Sequence, residues 1–106
     1  MDSSLEVAVE GDRIEIECSR NSSYGVDWTF KNATHEYGIS PDGVVPQKLI
    51  NEYSVNNTKN GSYSMSYLAI AHAKTSNAGT YICLKGENSQ HILTSVDLAL
   101  LSERQL

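Results

Sequence analysis

This 106-residue chain has two cysteines and three histidines, whose side chains can bind a metal or act as nucleophile and base. The cysteines are Cys18 and Cys83, and the histidines are His35, His72 and His91. The histidines are scattered, and the glycines are separated rather than clustered into a phosphate-binding loop. Whether the cysteines form a disulfide, bind metal or stay as free thiols depends on the elements that hold them.

The charge balance and the length of the apolar runs argue against two kinds of partner, nucleic acid and membrane. The formal net charge is -5 at pH 7, and no basic stripe is present, so a nucleic-acid partner is not expected. No apolar run approaches the length of a membrane span, so we expect no direct membrane insertion by this chain. No metal or other cofactor is expected.

Alternating apolar and polar residues predict an all-β protein built from short strands. Ile14, Ile16 and Cys18 share one side of a strand whose other side is charged, as in a half-buried antiparallel strand. The length suits one domain that buries roughly two thirds of its unfolded surface. The predicted strands cover residues 5–9, 13–18, 26–31, 35–40, 45–50, 53–55, 62–71, 79–85 and 92–101, with a turn at 57–61.

The segment from Asn77 to Cys83 contains the most specific pattern. Tyr81 and Cys83 lie on the same side of a predicted strand, because side chains alternate between faces. Together with Cys18 and the single Trp28 between the cysteines, this spacing resembles the immunoglobulin superfamily. The resemblance implies an immunoglobulin-like two-sheet Greek-key sandwich with a Cys18–Cys83 disulfide packed on Trp28. It also implies that the Tyr81 hydroxyl bonds to backbone where its strand begins.

Three further features refine the resemblance. Leu68 and Ile70 fall where the family has inward-facing strand residues, so both are expected in the core. The family usually has an acid where this chain has Asn77, so the salt bridge of that acid with an arginine is expected to be absent or replaced by a neutral hydrogen bond. The surplus length after residue 31 favours the variable (V-set) type, which inserts strands C' and C'' there. Residues 35–40 are expected to form C', and residues 45–50 a short C'' or a connecting strand. The intermediate (I-set) type is the alternative.

Four sequons for asparagine-linked glycosylation bear on the cellular setting, against about 1.5 expected by chance from the composition. All four fall at predicted loops or strand ends. Some intracellular immunoglobulin-like domains keep their cysteines reduced, but the sequons and cysteines together favour an extracellular setting, as the ectodomain of a plasma-membrane protein. The sequon asparagines are Asn21, Asn32, Asn56 and Asn60.

The domain is expected to span residues 5–101. Residues 1–4 are expected to be an expression start or disordered, and residues 102–106 a tail or linker. The chain is interpreted as a piece of a longer secreted or membrane-anchored protein.

An exposed apolar cluster is predicted on one sheet. Outward-facing Ile82 and Leu84 are expected beside Leu93, and apolar groups rimmed by polar residues are typical of interaction sites. In the family this surface is the GFCC' face, the outer face of the sheet formed here by residues 26–31, 35–40, 79–85 and 92–101. The alternative is that Tyr37 or Ile39 folds over the cluster and extends the core. The predicted protein-binding residues are Ile82, Leu84, Leu93, Thr29, Lys31 and Tyr37.

The resemblance implies recognition rather than catalysis. The leading interpretation is a domain of a cell-surface receptor or adhesion molecule that binds another cell-surface or secreted protein, or a second copy of itself, through the GFCC' face. The alternatives are a structural spacer in a tandem-immunoglobulin ectodomain and a secreted recognition or decoy protein. An antigen-receptor variable domain is discounted, because residues 92–101 lack the glycine bulge of those domains. A second surface around Met65 and Tyr67 is a weaker candidate, because glycans on Asn56 and Asn60 could shield it.

Overall fold

The structure, a computed structural model, describes residues 2–22, 25–86 and 91–102. In this part of the chain, segments of alternating apolar and polar residues form eight β-strands. The described helices are 3-10 helices of three residues each, and none of them is long and apolar enough to cross a membrane. The strands are β1 (Asp2–Val9), β2 (Ile14–Arg20), β3 (Val26–Lys31), β4 (Glu36–Gly38), β5 (Tyr53–Asn60), β6 (Tyr63–Ile70), β7 (Gly79–Lys85) and β8 (Ile92–Leu101).

The strands form two sheets that pack as a sandwich. The five-stranded sheet has the order β1-β8-β7-β3-β4, and the three-stranded sheet has the order β2-β6-β5. Strand β1 runs parallel to β8, whereas the other paired strands are antiparallel. A disulfide between Cys18 on β2 and Cys83 on β7 joins the sheets, with the two Cα atoms 6.5 Å apart. The predicted all-β, disulfide-bridged sandwich is therefore confirmed.

Trp28 lies at the centre of the core, directly opposite Cys83 in the β3–β7 pairing. The indole is fully buried, and its Nε1 donates a hydrogen bond of 2.9 Å to the Ser66 hydroxyl on the three-stranded sheet. A buried indole N–H without a partner would cost free energy, so this bond lets the largest core side chain bridge both sheets. The structure also buries Cys18, Tyr81, Leu68 and Ile70.

The strand expected at residues 45–50 does not form. The segment instead contains a 3-10 helix from Gln47 to Leu49, and another precedes it from Pro41 to Gly43. Pro46 has no N–H to donate to a neighbouring strand, and its carbonyl accepts a local bond from the Leu49 N–H at 2.9 Å. Of the two strands expected after residue 31, the described structure therefore forms C' (β4) but not C''.

Two strands are longer than the sequence pattern predicts. Strand β5 continues to Asn60, and a two-residue turn of Gly61 and Ser62 connects it to β6, with Gly61 at φ 65°. Glycine adopts this positive φ without the steric cost that other residues incur. Strand β1 begins at Asp2 because β8 offers a parallel partner along its whole length. Residues 103–106 of the expected tail lie outside the described residues.

Candidate functional site

Strand pairing places four of the predicted binding residues, Thr29, Lys31, Ile82 and Leu84, on the GFCC' face. Thr29 on β3 lies opposite Ile82 on β7, and Ile82 lies opposite Ser95 on β8. One register step away, Lys31 lies opposite Thr80. These residues alternate with the buried Trp28, Phe30 and Cys83, so they point away from the core.

A shallow depression of about 500 Å³ lies on this face. It is lined by Ile82 and Leu84 from β7 and Ile92 from β8, together with the polar and charged side chains of Thr29, Lys31 and Glu36. The three apolar side chains, here called the β7 cluster, are half-buried rather than fully exposed. The depression is suited to an apolar contact with a polar margin.

The prediction that Leu93 faces outward beside Ile82 is wrong. Leu84 pairs with Ile92 while Cys83 pairs with Thr94, so a β-bulge leaves Leu93 without a partner opposite it. The extra residue reverses the alternation of side chains along β8. Leu93 therefore packs against the core, and Ile92 takes the expected place in the β7 cluster.

Tyr37 borders the depression and also packs against the core. Its ring packs against Phe30 with centroids 5.2 Å apart, and its hydroxyl lies 2.9 Å from the Tyr53 hydroxyl on the other sheet. Ile39, two residues further on, is fully buried. These two side chains extend the core at its β4 edge, as the alternative reading of this region proposes, without covering the half-exposed β7 cluster.

A second apolar surface lies on the same sheet face and is not predicted from the sequence. Leu5 and Val7 on β1 are 68% and 57% exposed, and Leu101 on β8 is 39% exposed. In the parallel register Leu5 lies opposite Asp97, an outward residue of β8 that accepts a 2.7 Å hydrogen bond from Thr80. These three residues, here called the β1 patch, thus lie beyond a polar band of the face. Alternation in the sequence predicts the strand but not which way its apolar residues point.

The structure contains the hydrogen bond from the Tyr81 hydroxyl to backbone that the resemblance implies. The Tyr81 hydroxyl donates to the carbonyl of Asn77 at 2.7 Å, just before β7. The fully buried Asn77 side chain accepts a 2.9 Å bond from the Lys74 N–H. Its amide donates to the Glu52 carboxylate at 2.8 Å. The hydrogen bond between the neutral Asn77 amide and the Glu52 carboxylate thus replaces the salt bridge between an acid and an arginine that the resemblance would otherwise imply at this position.

Three tyrosine hydroxyls meet at the end of the core near this contact. Tyr53 lies between Tyr37 and Tyr81, at 2.9 and 3.4 Å from their hydroxyl oxygens. Burial is the main cause that raises the pKa of each of the three phenols above its ordinary value. The folded protein therefore favours the neutral phenols.

Alkaline pH is expected to unfold the domain through these tyrosines. Their folded pKa values exceed the unfolded value of about 10, so above that pH the unfolded state loses protons that the folded state retains, and stability falls as pH rises. Phenolate absorbance at 295 nm from three of the six tyrosines should therefore appear together with loss of the β-sheet circular dichroism signal. Complete phenolate formation while the circular dichroism is still native would contradict this assignment.

The three histidines lie on different elements. His35 precedes β4, His72 follows β6 and His91 precedes β8. Within residues 2–22, 25–86 and 91–102, no group of three or more histidine, cysteine, aspartate or glutamate side chains is placed to hold a metal ion.

The sequons occupy two kinds of position. Asn21 is exposed in the bend after β2, and Asn32 follows β3, with its side-chain oxygen accepting bonds from the Thr34 and His35 N–H groups at 2.9 and 2.7 Å. Asn56 and Asn60 are exposed on β5. The expectation that all four lie in loops or at strand ends is wrong for Asn56, which is the fourth residue of β5.

The sandwich, its inter-sheet disulfide and the Tyr81 contact together define an immunoglobulin-like domain. Among solved structures, the chain is similar to the second Ig domain from mouse polymeric immunoglobulin receptor. The two share a TM-score of 0.72 and 23% sequence identity over 94% of this chain and 97% of that one. No protein-family model matches the chain, and no curated protein matches it. Because 1182 solved chains match the structure, the fold alone does not choose among functions.

Proposed function

We propose that this chain is a non-catalytic extracellular recognition domain of a cell-surface receptor or adhesion molecule, which binds a protein partner through its GFCC' face. The disulfide supports an oxidising, extracellular setting. The partner is another cell-surface or secreted protein, or a second copy of this chain. N-linked glycans belong to the proposal.

The observation that carries this proposal is the distribution of exposed apolar side chains on the five-stranded sheet. The β7 cluster and the β1 patch lie on one face, separated by a polar band that includes Lys31, Thr80 and Asp97. Apolar contacts framed by polar groups are typical of protein interfaces, of which a standard one covers about 800 Å² on each partner. The outward residues of β2 on the other sheet include the charged Glu15 and Glu17, which fit solvent better.

Two alternatives use the same fold in other ways. A spacer in a tandem-immunoglobulin ectodomain would need no partner on the GFCC' face, so substitutions there would change no binding. A secreted recognition or decoy protein would use the same face and would differ only in lacking an anchor. The exposed β1 patch favours recognition over the spacer, because burying exposed apolar side chains supplies binding free energy.

Charge substitutions on the face test the proposal. Two double variants are made. Ile82→Asp with Leu84→Asp places two carboxylates in the β7 cluster, and Leu5→Asp with Val7→Asp places two in the β1 patch. At least one of them is expected to weaken partner binding tenfold or more, because desolvated apolar contacts near the centre of an interface carry most of its binding free energy. Self-association is measured by sedimentation across a wide concentration range, and heterologous binding is measured against a panel of purified ectodomains.

Ile50→Asp is the matched control, because Ile50 is 49% exposed and lies beside Tyr53, Ser54 and Ala69 of the other sheet. It introduces one carboxylate, against two in each double variant, away from the GFCC' face and should leave binding unchanged. All variants must keep the circular dichroism spectrum of the unsubstituted protein. If a partner is found and both double variants bind it normally, or if only Ile50→Asp weakens it, the GFCC' face is not the binding site.

A further inference from the structure

The outer face of the three-stranded sheet brings two sequon asparagines opposite tyrosines. Val55 packs against the core, so the alternate residues of β5 point outward, and both asparagines are exposed. The side chain that completes the first sequon, Thr58, lies on the same face. The facing pairs along the β5–β6 ladder are Asn56 with Tyr67, Thr58 with Met65 and Asn60 with Tyr63.

The two tyrosines differ in direction. The Tyr67 hydroxyl lies 3.6 Å from the sulfur of Met65, two residues earlier on the same face, so its half-buried ring lies along β6 beside β5. The Tyr63 hydroxyl instead donates to the Ser19 hydroxyl at 3.1 Å, so its ring leans toward β2 and away from Asn60. Only Tyr67 therefore presents its ring beside a sequon asparagine.

We propose that the first N-acetylglucosamine of a glycan on Asn56 packs against the ring of Tyr67. Directly opposed residues of an antiparallel pair have Cβ atoms about 4.5–5.5 Å apart, within reach of a sugar attached to the asparagine amide. One face of a pyranose ring presents C–H groups with partial positive charge, and the face of an aromatic ring is negative, so the two attract while apolar surface is buried. The inference rests on the extracellular setting of the proposed function.

This arrangement assigns different roles to the two outer faces. A sugar held on Tyr67 covers the Met65 and Tyr67 surface, which the sequence analysis treats as a second candidate interface. A glycan on Asn56 leaves the GFCC' face open for a protein partner, because that face bears none of the β5 sequons. A glycan on Asn32, which follows β3, would border one edge of the face. The glycan on Asn56 is thus expected to be an ordered part of the fold rather than a mobile chain.

A thermodynamic cycle on the secreted chain tests the pairing. The protein is expressed in cells that add oligomannose glycans, occupancy at Asn56 is measured by mass spectrometry, and endoglycosidase H trims the glycan to its first sugar. Asn56→Gln removes the sugar, Tyr67→Thr removes the ring while introducing a β-branched side chain that suits a strand, and the double variant closes the cycle. The sugar is expected to raise the Tm by about 2–4 °C with the native Tyr67 and by less than about 1 °C in the Tyr67→Thr background.

The Asn60 and Tyr63 pair provides the matched control, because it has the same cross-strand register but a ring turned away. Its cycle, made with Asn60→Gln and Tyr63→Thr, should show additive effects. A second readout needs no ring variant: protons of the first sugar on Asn56 should shift upfield in the NMR spectrum through the ring current of Tyr67. Occupancy at Asn56 without a shift or coupling, equal coupling in both pairs, or no sugar on Asn56 would each overturn the inference. Because secretion of the chain is imposed, none of these results bears on the partner or on the GFCC' face.

Discussion

Asn77→Asp is expected to lower the free energy of unfolding by about 3 kcal/mol at pH 7, although an acid is what the immunoglobulin family usually has at this position. The buried amide of Asn77 donates to the Glu52 carboxylate at 2.8 Å. An aspartate would remove that donor and place a second negative charge against the first. Urea denaturation followed by tryptophan fluorescence measures the change.

Adding Glu52→Gln to the Asn77→Asp variant should restore most of the lost stability. The new glutamine amide can donate a hydrogen bond to the new aspartate, whereas the Glu52 carboxylate could only accept one from Asn77. The pH dependence has a definite sign. Two facing carboxylates raise the folded pKa of the pair above its unfolded value, so the variant loses stability as pH rises through that pKa and regains it as pH falls toward about 4. A variant that is as stable as the unsubstituted protein at pH 7 would show that the Asn77–Glu52 contact is unimportant.

Removing the disulfide with Cys18→Ala and Cys83→Ala is expected to cost about 4 kcal/mol, the largest single effect predicted for this domain. The crosslink closes a loop with a sequence separation of 65, so its loss releases a large conformational entropy in the unfolded chain. Both sulfurs are also buried beside Trp28, and their removal loses packing in the core. Thermal and urea unfolding of the oxidised protein and of the double variant measure the difference.

Ser19→Ala serves as the control, because Ser19 adjoins Cys18 on β2 but points to the opposite face and bonds only to the Tyr63 hydroxyl among the bonds described for it. Its cost should stay below about 1.5 kcal/mol. A double cysteine variant that loses no more than this control would show that the sandwich holds without its crosslink. The domain would then tolerate a reducing compartment, which would weaken the extracellular proposal.

Much of the sandwich can be predicted from the sequence, because its strongest signals act over short distances or at fixed spacing. Period-two alternation indicates strands such as β2, β3 and β7, and the limits of β7 and β8 are as predicted. The spacing of the two cysteines, Trp28 and Tyr81 resembles the immunoglobulin superfamily, and that resemblance predicts that all four lie in the core, where the structure places them.

Which side chains lie on the GFCC' face depends on the pairing between strands. A bulge opposite Leu84 turns Leu93 inward and Ile92 outward, and nothing in the local alternation of β8 marks the extra residue. The direction of Leu5 and Val7 follows from the parallel register with β8, which forms between distant segments.

Gly79 shows the same dependence on distant segments. The sequence predicts a strand that begins at this residue, but only the structure shows why it is glycine: a Cβ atom there would lie 2.7 Å from the Lys31 carbonyl and 2.8 Å from the Phe30 ring. Side-chain periodicity by itself determined most of the strands of this protein, but not the full extent of β5 or the absence of a strand at 45–50. For residues such as Ile92 and Leu93, only the tertiary structure decided which face the side chain occupies, because a one-residue change in pairing moves every side chain beyond it to the opposite side of the sheet.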